Sequence, residues 1–220
     1  MLLSAWRHPG EGELTGSARL RRTAKRSAGL RITGGRLGGR RLRAPRGGLR
    51  PTSDRVRESL FARLGDLSGV AVLDLYAGTG ALGVEAVSRG ADSLVCVEQA
   101  PLCLAALRAN LAELGLGPTV RVIADDAVRA VRRLGRSSQR FDLVLMDPPY
   151  VSAEAPRALE ALVEAGVLAE GATVVLESGR RHPVAAAAGL VRVDERRYGE
   201  TVLTRWVAAS GRSSGGRGDT

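Results

Sequence analysis

The sequence predicts an α/β domain built on a seven-stranded, mostly parallel sheet that ends in an antiparallel hairpin. Three observations point to it. Short apolar runs alternate with amphipathic stretches from residue 70 to residue 178, as in βαβ units whose helices cover both faces of a sheet. The last stretch, LVRVDERRYGETVLTRWVAA, holds two alternating runs around Tyr198-Gly199, as a hairpin would. The composition of the 220 residues, 44% hydrophobic and 25% charged, is that of one globular domain rather than of a disordered chain.

Residues 1–28 mix Gly, Ser, Thr and Arg with little apolar periodicity, and residues 209–220 form a Gly/Ser-rich tail, so both ends are expected to be disordered. Residues 29–49 space glycines between short apolar and basic residues, which predicts a small turn-rich hairpin that presents arginines. The catalytic α/β domain is expected over residues 50–208. Pro51, with Thr52 and Ser53 as possible caps, precedes Val56, Leu60, Phe61 and Leu64 at helical spacing, and predicts a helix from about Asp54. Strands are then predicted at 70–76, 93–98, 119–124, 141–146 and 172–178. Helices are predicted through 83–90, from Pro101 to Leu114, near 126–134 and around 154–166.

Charge is unevenly placed. Residues 1–50 carry 13 basic side chains against Glu11 and Glu13, a net of +11, whereas residues 51–220 carry 20 Arg against 21 acids, a net of −1. Such a basic end is the electrostatic footprint of a nucleic-acid partner, because arginines near phosphates release counterions and bind bidentately. Arg31, Arg36, Arg40 and Arg41 are the candidate RNA contacts of the hairpin. Cys96 and Cys103 have no histidine near them, and His8 and His182 lie far apart, so neither a disulfide framework nor a metal site is expected. No apolar run is long enough to span a bilayer and the N-terminus lacks the apolar stretch of a signal peptide, so the expectation is a cytoplasmic protein without membrane contact.

The first predicted parallel strand runs into DLYAGTGALG, in which Gly78, Gly80 and Gly83 have the G-x-G-x-x-G spacing that lets a backbone approach a ligand at a helix N-terminus. That spacing alone would suit a dinucleotide. Asp74, four residues before Gly78, adds an acceptor suited to a cationic amino group, which nicotinamide dinucleotides lack. S-adenosylmethionine has an ammonium, a ribose and an adenine, and acids at the ends of successive strands, Asp74, Glu98 and Asp126, would answer them. The fourth strand leads into Asp147-Pro148-Pro149-Tyr150. Proline cannot continue a sheet ladder, so the chain must leave the sheet there with its carbonyls turned outward. The Asp147 carboxylate and the Pro148 carbonyl can accept two hydrogen bonds from a planar amino group while Tyr150 stacks on the ring that bears it.

Taken together, Asp74 to Gly83 with Asp147 to Tyr150 resemble the Rossmann-like class I S-adenosylmethionine-dependent methyltransferases that modify amino nitrogens. The stretches RITGGRLGGRRL (31–42), RPTSDRVRESLF (50–61) and DLYAGTGALGVEAVSRGA (74–91) narrow the resemblance to the RsmD family of bacterial small-subunit ribosomal RNA guanine-N2 methyltransferases, over residues 29–208. The resemblance implies donor contacts from Asp74, Ala77, Gly78, Gly80, Glu98, Gln99, Asp126 and Ala127, and base positioning by Asp147, Pro148, Pro149 and Tyr150. It also implies that Arg50, Thr52 and Arg55 lie near the donor or the RNA. The implied partner is 16S rRNA within an assembled or assembling small subunit, and a monomer is expected. The chain departs from the family pattern at Asp125-Asp126, where other members can have Ser or Asn.

The tetrad at 147–150 would serve any planar NH₂, so adenine-N6 methylation of DNA or RNA and glutamine-N5 methylation of a protein stay open. No segment has the size of a DNA target-recognition insert. Cytosine-C5 chemistry needs a thiolate on a loop facing the base, whereas Cys96 and Cys103 fall in a predicted strand and a predicted helix. A non-catalytic RNA-binding assembly factor is the reading from another class, against which the complete set of acids and prolines argues. Removing residues 1–49 is expected to abolish RNA methylation while leaving donor affinity nearly intact.

Overall fold

A computed structural model describes residues 30–45, 53–149 and 153–209. The expectations of disorder for 1–28 and 210–220, and the site assignments of Arg50, Thr52 and Tyr150, lie outside the described residues.

The predicted hairpin is present at the start. β1 (Leu30–Arg31) pairs antiparallel with β2 (Arg41–Leu42) around a 3₁₀ turn at Gly35–Leu37. α1 (Asp54–Leu64) opens on Ser53, whose hydroxyl accepts from Val56 N–H at 3.4 Å. Its buried face holds Val56, Leu60 and Phe61 as the spacing predicts, and also Arg57, which the spacing does not. Arg57 is buried because its guanidinium donates to the Arg31 carbonyl and, at 2.9 Å, to Asp54.

The alternating region follows in order: β3 (Ala71–Leu75), α2 (Ala81–Ser88), β4 (Ser93–Glu98), α3 (Pro101–Glu113), β5 (Val120–Ala124), α4 (Ala127–Leu134), β6 (Phe141–Met146), α5 (Glu154–Glu164) and β7 (Leu168–Gly179). β8 (Leu190–Tyr198) and β9 (Thr201–Ala208) close the chain as the expected hairpin. The seven strands stand in the order β5-β4-β3-β6-β7-β9-β8, parallel from β5 to β7 and antiparallel beyond. β7 begins four residues earlier than the sequence predicts, since Leu168 pairs with Phe141 across a bulge.

The period-two alternation of each strand sorts side chains onto two cores. Val72, Leu94, Cys96, Leu143, Leu145 and Val175 face α1, α2 and α3. Leu73, Leu75, Val95, Val144, Met146 and Trp206 face α4 and α5.

The basic hairpin belongs to the first of these cores. Ile32 and Leu42 are 1% and 2% exposed. Thr33 donates to the buried Glu85 carboxylate of α2 through its main-chain N–H (2.7 Å) and its hydroxyl (2.8 Å), and Leu37 N–H donates to Ser88 Oγ at 2.9 Å. The hairpin is thus packed into the domain core. Burial of two aliphatic side chains contributes about 3 kcal/mol or more, so deletion of residues 1–45 should destabilise the remaining domain by at least about 3 kcal/mol in urea unfolding. An unchanged midpoint would mean that the hairpin adds nothing to the core.

Candidate active site

The chain runs outward from β3 to β4 and β5, then crosses back to β6 on the other side of β3. Open α/β sheets bind ligands at the carboxyl ends of strands where the order reverses in this way. Leu75 is level with Met146, and Met146 with Leu176, so Tyr76 and Asp147 leave the sheet side by side, next to Glu177, which stays in β7 opposite Leu203 of β9.

Asp74 lies at this end of β3, 1% exposed. Its Oδ2 accepts from Gly83 N–H at 2.9 Å, while Oδ1 is buried without a hydrogen-bond partner. Burial pushes this carboxyl up to about 7, against the lowering effect of the Gly83 hydrogen bond and with a smaller upward push from Glu98. An acid so placed fits an incoming ammonium, which supplies both the missing hydrogen bond and the opposite charge. Gly83 is required where it stands: a Cβ there would come within 2.9 Å of Asp74 Oδ2 and 2.8 Å of Leu94.

The glycine loop is held from several directions. Gly80 N–H donates to the Ala77 carbonyl at 2.7 Å and Ala77 N–H to the Val97 carbonyl at 3.0 Å. Gly80 adopts φ +87 beside Leu107 and leads directly into α2. Glu98 accepts from Gly78 N–H at 2.7 Å through one oxygen, and from the N–H groups of Gln99 (2.8 Å) and Ala100 (2.7 Å) through the other. The oxygen that accepts from Gly78 keeps a second lone pair, so Glu98 can still accept from a ribose hydroxyl. The side chain of Gln99 is exposed.

Asp126 caps α4 by accepting from Arg129 N–H at 3.0 Å, which commits one of its oxygens. Ala127 packs into the second core at 4% exposure. Asp125 is engaged by Arg129 (2.9 Å) and Arg133 (3.1 Å), which hold its carboxyl below the usual range together with the Asp126 N–H.

Beyond β6, Pro148 is buried and Pro149 exposed. They border a cavity of about 270 Å³ that is also lined by Pro156, Glu177, Ser178 and His182. The last three residues are absent from the expected site, because nothing local marks the end of β7 and the turn after it as neighbours of the prolines. Tyr76 was missed as well. It is the one non-glycine with positive φ (+63) among the described residues, half-buried, with its hydroxyl 3.5 Å from the Glu154 carbonyl. Burial, followed by the charges of Glu154 and Asp126, raises its phenol above the usual range.

Arg36, Arg40 and Arg41 are exposed on the β1–β2 hairpin, and Arg55 is exposed on α1. Arg31 is exposed too, with its Nε 3.9 Å from Asp54. Tyr198 shares a 2.6 Å hydrogen bond with Ser59 and ties α1 to the terminal hairpin. Burial raises the thiols of Cys96 and Cys103, so neither is a ready thiolate. Among the described residues no cluster of His, Cys, Asp or Glu could hold a metal ion, and no helix is long and apolar enough to cross a membrane.

The family described as Conserved hypothetical protein 95 matches residues 30–207. Ribosomal RNA small subunit methyltransferase D of Escherichia coli K12 is 37% identical over 154 residues, covering 69% of this chain and 76% of that protein. The chain belongs to the RsmD family. YlbH of Bacillus subtilis, assigned as an rRNA methyltransferase, is 33% identical over 175 residues, 78% of this chain and 95% of the relative. Among solved structures, yhhF of Escherichia coli, assigned as a methyltransferase, superposes with a TM-score of 0.73 at 32% identity, covering 83% of this chain and 99% of that one. The sheet order and the glycine loop are therefore those of a class I methyltransferase, whose methyl donor is S-adenosylmethionine. The unpartnered Asp74 oxygen and the Glu98 carboxylate are consistent with that donor.

The raised Asp74 carboxyl sets the sign of a pH dependence. The folded protein holds this proton up to about pH 7 while the unfolded chain releases it near 4. Asp74 therefore withdraws stability as pH rises through that interval. Thermal melts from pH 4 to 8 should show the wild type losing stability relative to Asp74→Asn. S-adenosylhomocysteine, whose ammonium favours the ionised acid, should bind the wild type more tightly as the pH approaches 8, and parallel pH profiles for both proteins would refute this assignment.

Proposed function

We propose that this protein transfers a methyl group from S-adenosylmethionine to the exocyclic N2 amino group of a guanine in 16S rRNA, within an assembled or assembling small ribosomal subunit. The coarser activity, methylation of ribosomal RNA, is the one carried by the names of its RsmD relatives. Guanine N2 rests on the family resemblance, and the observation that supports transfer to a planar amine is the register of β3 against β6. It brings the Asp147-Pro148-Pro149 exit level with the residue that follows β3, beside the Asp74 and glycine-loop surface and next to the cavity lined by Pro148, Ser178 and His182.

The donor, when bound, supplies a methyl group on a sulfonium, reactive without metal or redox chemistry. The residues of the chain do the rest. Asp74, Gly78 and Glu98 hold the donor, and Asp147 with the Pro148 carbonyl accepts the two hydrogens of the target amine. An exocyclic amine is a weak nucleophile because its lone pair is delocalised into the ring. Fixing both hydrogens on rigid acceptors aims that lone pair at the methyl carbon, so that the N–C bond forms in line as the S–C bond breaks. The amine then carries one proton too many, and the Asp147 carboxylate hydrogen-bonded to it accepts that proton. Tyr150 would stack on the flipped base, and Arg31, Arg36, Arg40, Arg41, Arg50, Thr52 and Arg55 would engage phosphates or sugars. The protein is proposed to act as a monomer in the cytoplasm.

A glutamine acceptor is the competing reading with a relative behind it. A release factor glutamine methyltransferase of Cereibacter sphaeroides is 32% identical, but the match covers only 52% of that protein. Mass spectrometry decides between them: small subunits lacking the modification, incubated with the protein and labelled S-adenosylmethionine, should yield N2-methylguanosine. Label in N6-methyladenosine, or only in protein, would overturn the guanine assignment.

Asp147→Ala should lower kcat by about 100-fold or more with donor affinity within about twofold, whereas Glu98→Ala should weaken donor binding first. Wild-type turnover by Asp147→Ala would refute the amine-holding role.

A further inference from the structure

The geometry points to Asn110 as a positioning residue that couples the basic β1–β2 hairpin to the donor loop, so that RNA engaging the hairpin tightens donor binding. This inference rests on the RNA reading above and adds a route between the two ligands.

Asn110 lies on α3 and is 1% exposed. Its Nδ2 donates to the Thr79 carbonyl at 3.0 Å and to the Arg43 carbonyl at 3.1 Å, and its Oδ1 accepts from Arg43 N–H at 2.8 Å. Both amide hydrogens and the oxygen are thus used. The reverse amide orientation would set oxygen against two carbonyls, so the three partners fix the side chain in one way. One buried group therefore grips two pieces of main chain far apart in sequence. Thr79 sits between Gly78 and Gly80, at the turn that faces the donor. Arg43 directly follows β2.

The side chains around Arg43 are suited to capture by phosphate. Arg43 pairs with Glu113 at 3.0 Å, with the two side chains 70% and 48% exposed, and Arg40 donates to the Glu113 carbonyl at 3.3 Å. Exposed pairs of this kind contribute little to stability and exchange readily for a phosphate. A phosphate that draws Arg43 away from Glu113 acts on the main chain that Asn110 holds, and through Asn110 on the Thr79 carbonyl. Another attachment of the hairpin, Thr33 on Glu85, is made to α2 and not to the Thr79 carbonyl. It supplies the control. Linkage is reciprocal, so bound donor should equally tighten RNA binding.

The test uses the full chain, small subunits lacking the modification, and labelled S-adenosylhomocysteine in equilibrium dialysis with and without subunits. The wild type should bind the nucleoside at least about fivefold more tightly when subunits are present. Asn110→Ala should reduce this ratio to near one, and Thr33→Val should keep it. Because Asn110→Ala leaves buried main-chain groups unpaired, Arg43→Ala is the second variant: it keeps those groups and should also lose the ratio. A wild-type ratio preserved in Arg43→Ala or in folded Asn110→Ala would overturn the coupling. Wild-type protein that co-sediments with subunits but shows no enhancement would overturn the coupling alone, whereas failure to co-sediment would overturn the RNA reading and the coupling with it.

Discussion

The hydrogen bond from Gly83 N–H to the buried Asp74 carboxylate is the constraint from which the rest of the site follows. It ties the first turn of α2 to the end of β3 and leaves one carboxylate oxygen buried and unanswered. A buried acid with half of its hydrogen-bonding capacity unused is costly in the free protein. Such a cost favours a cationic ligand, whose ammonium would remove it on binding. The same bond explains the third glycine of the loop, since a side chain there would occupy the space in which the carboxylate oxygen lies.

Around that bond the loop is fixed from β4, from α3 and from the end of β3 itself. Glu98, at the end of β4, takes the Gly78 N–H and also the Ala100 N–H just before α3. Asn110, from within α3, takes the Thr79 carbonyl. Tyr76 turns the chain out of β3 with a positive φ, a backbone state that costs energy in any residue but glycine and persists only where its surroundings hold it. The loop is thus preorganised before the donor arrives, which reduces the ordering that binding requires.

The basic hairpin is attached by buried polar groups as well as by Ile32 and Leu42. Glu85 is fully buried on α2, a position tolerable for a charge only because Thr33 donates to it twice and Arg89 pairs with it at 2.8 Å. Such an arrangement fixes one geometry more strictly than an apolar contact would. The arginines of the hairpin are consequently presented at a defined place relative to the carboxyl ends of the strands. A flexible basic tail would give charge without that registration.

Much of this protein was legible in its sequence, because the signals concerned are local. The alternation of Val, Leu and Ile with helical stretches gave β3 to β7 and their helices. The glycines of 78–83 gave the loop, and Pro148-Pro149 gave the end of β6. The spacing around Gly34 and Gly35 gave the hairpin. Tertiary structure alone decided which strand ends meet, since strand order arises from pairing between segments far apart in the chain. Ser178 and His182 therefore reached the Pro148 cavity without any local mark, and Asn110 joined Arg43 to Thr79 from the middle of an ordinary helix. Arg57, charged and fully buried, shows the same limit: its place in the core depends on the Arg31 carbonyl, which only the docked hairpin supplies.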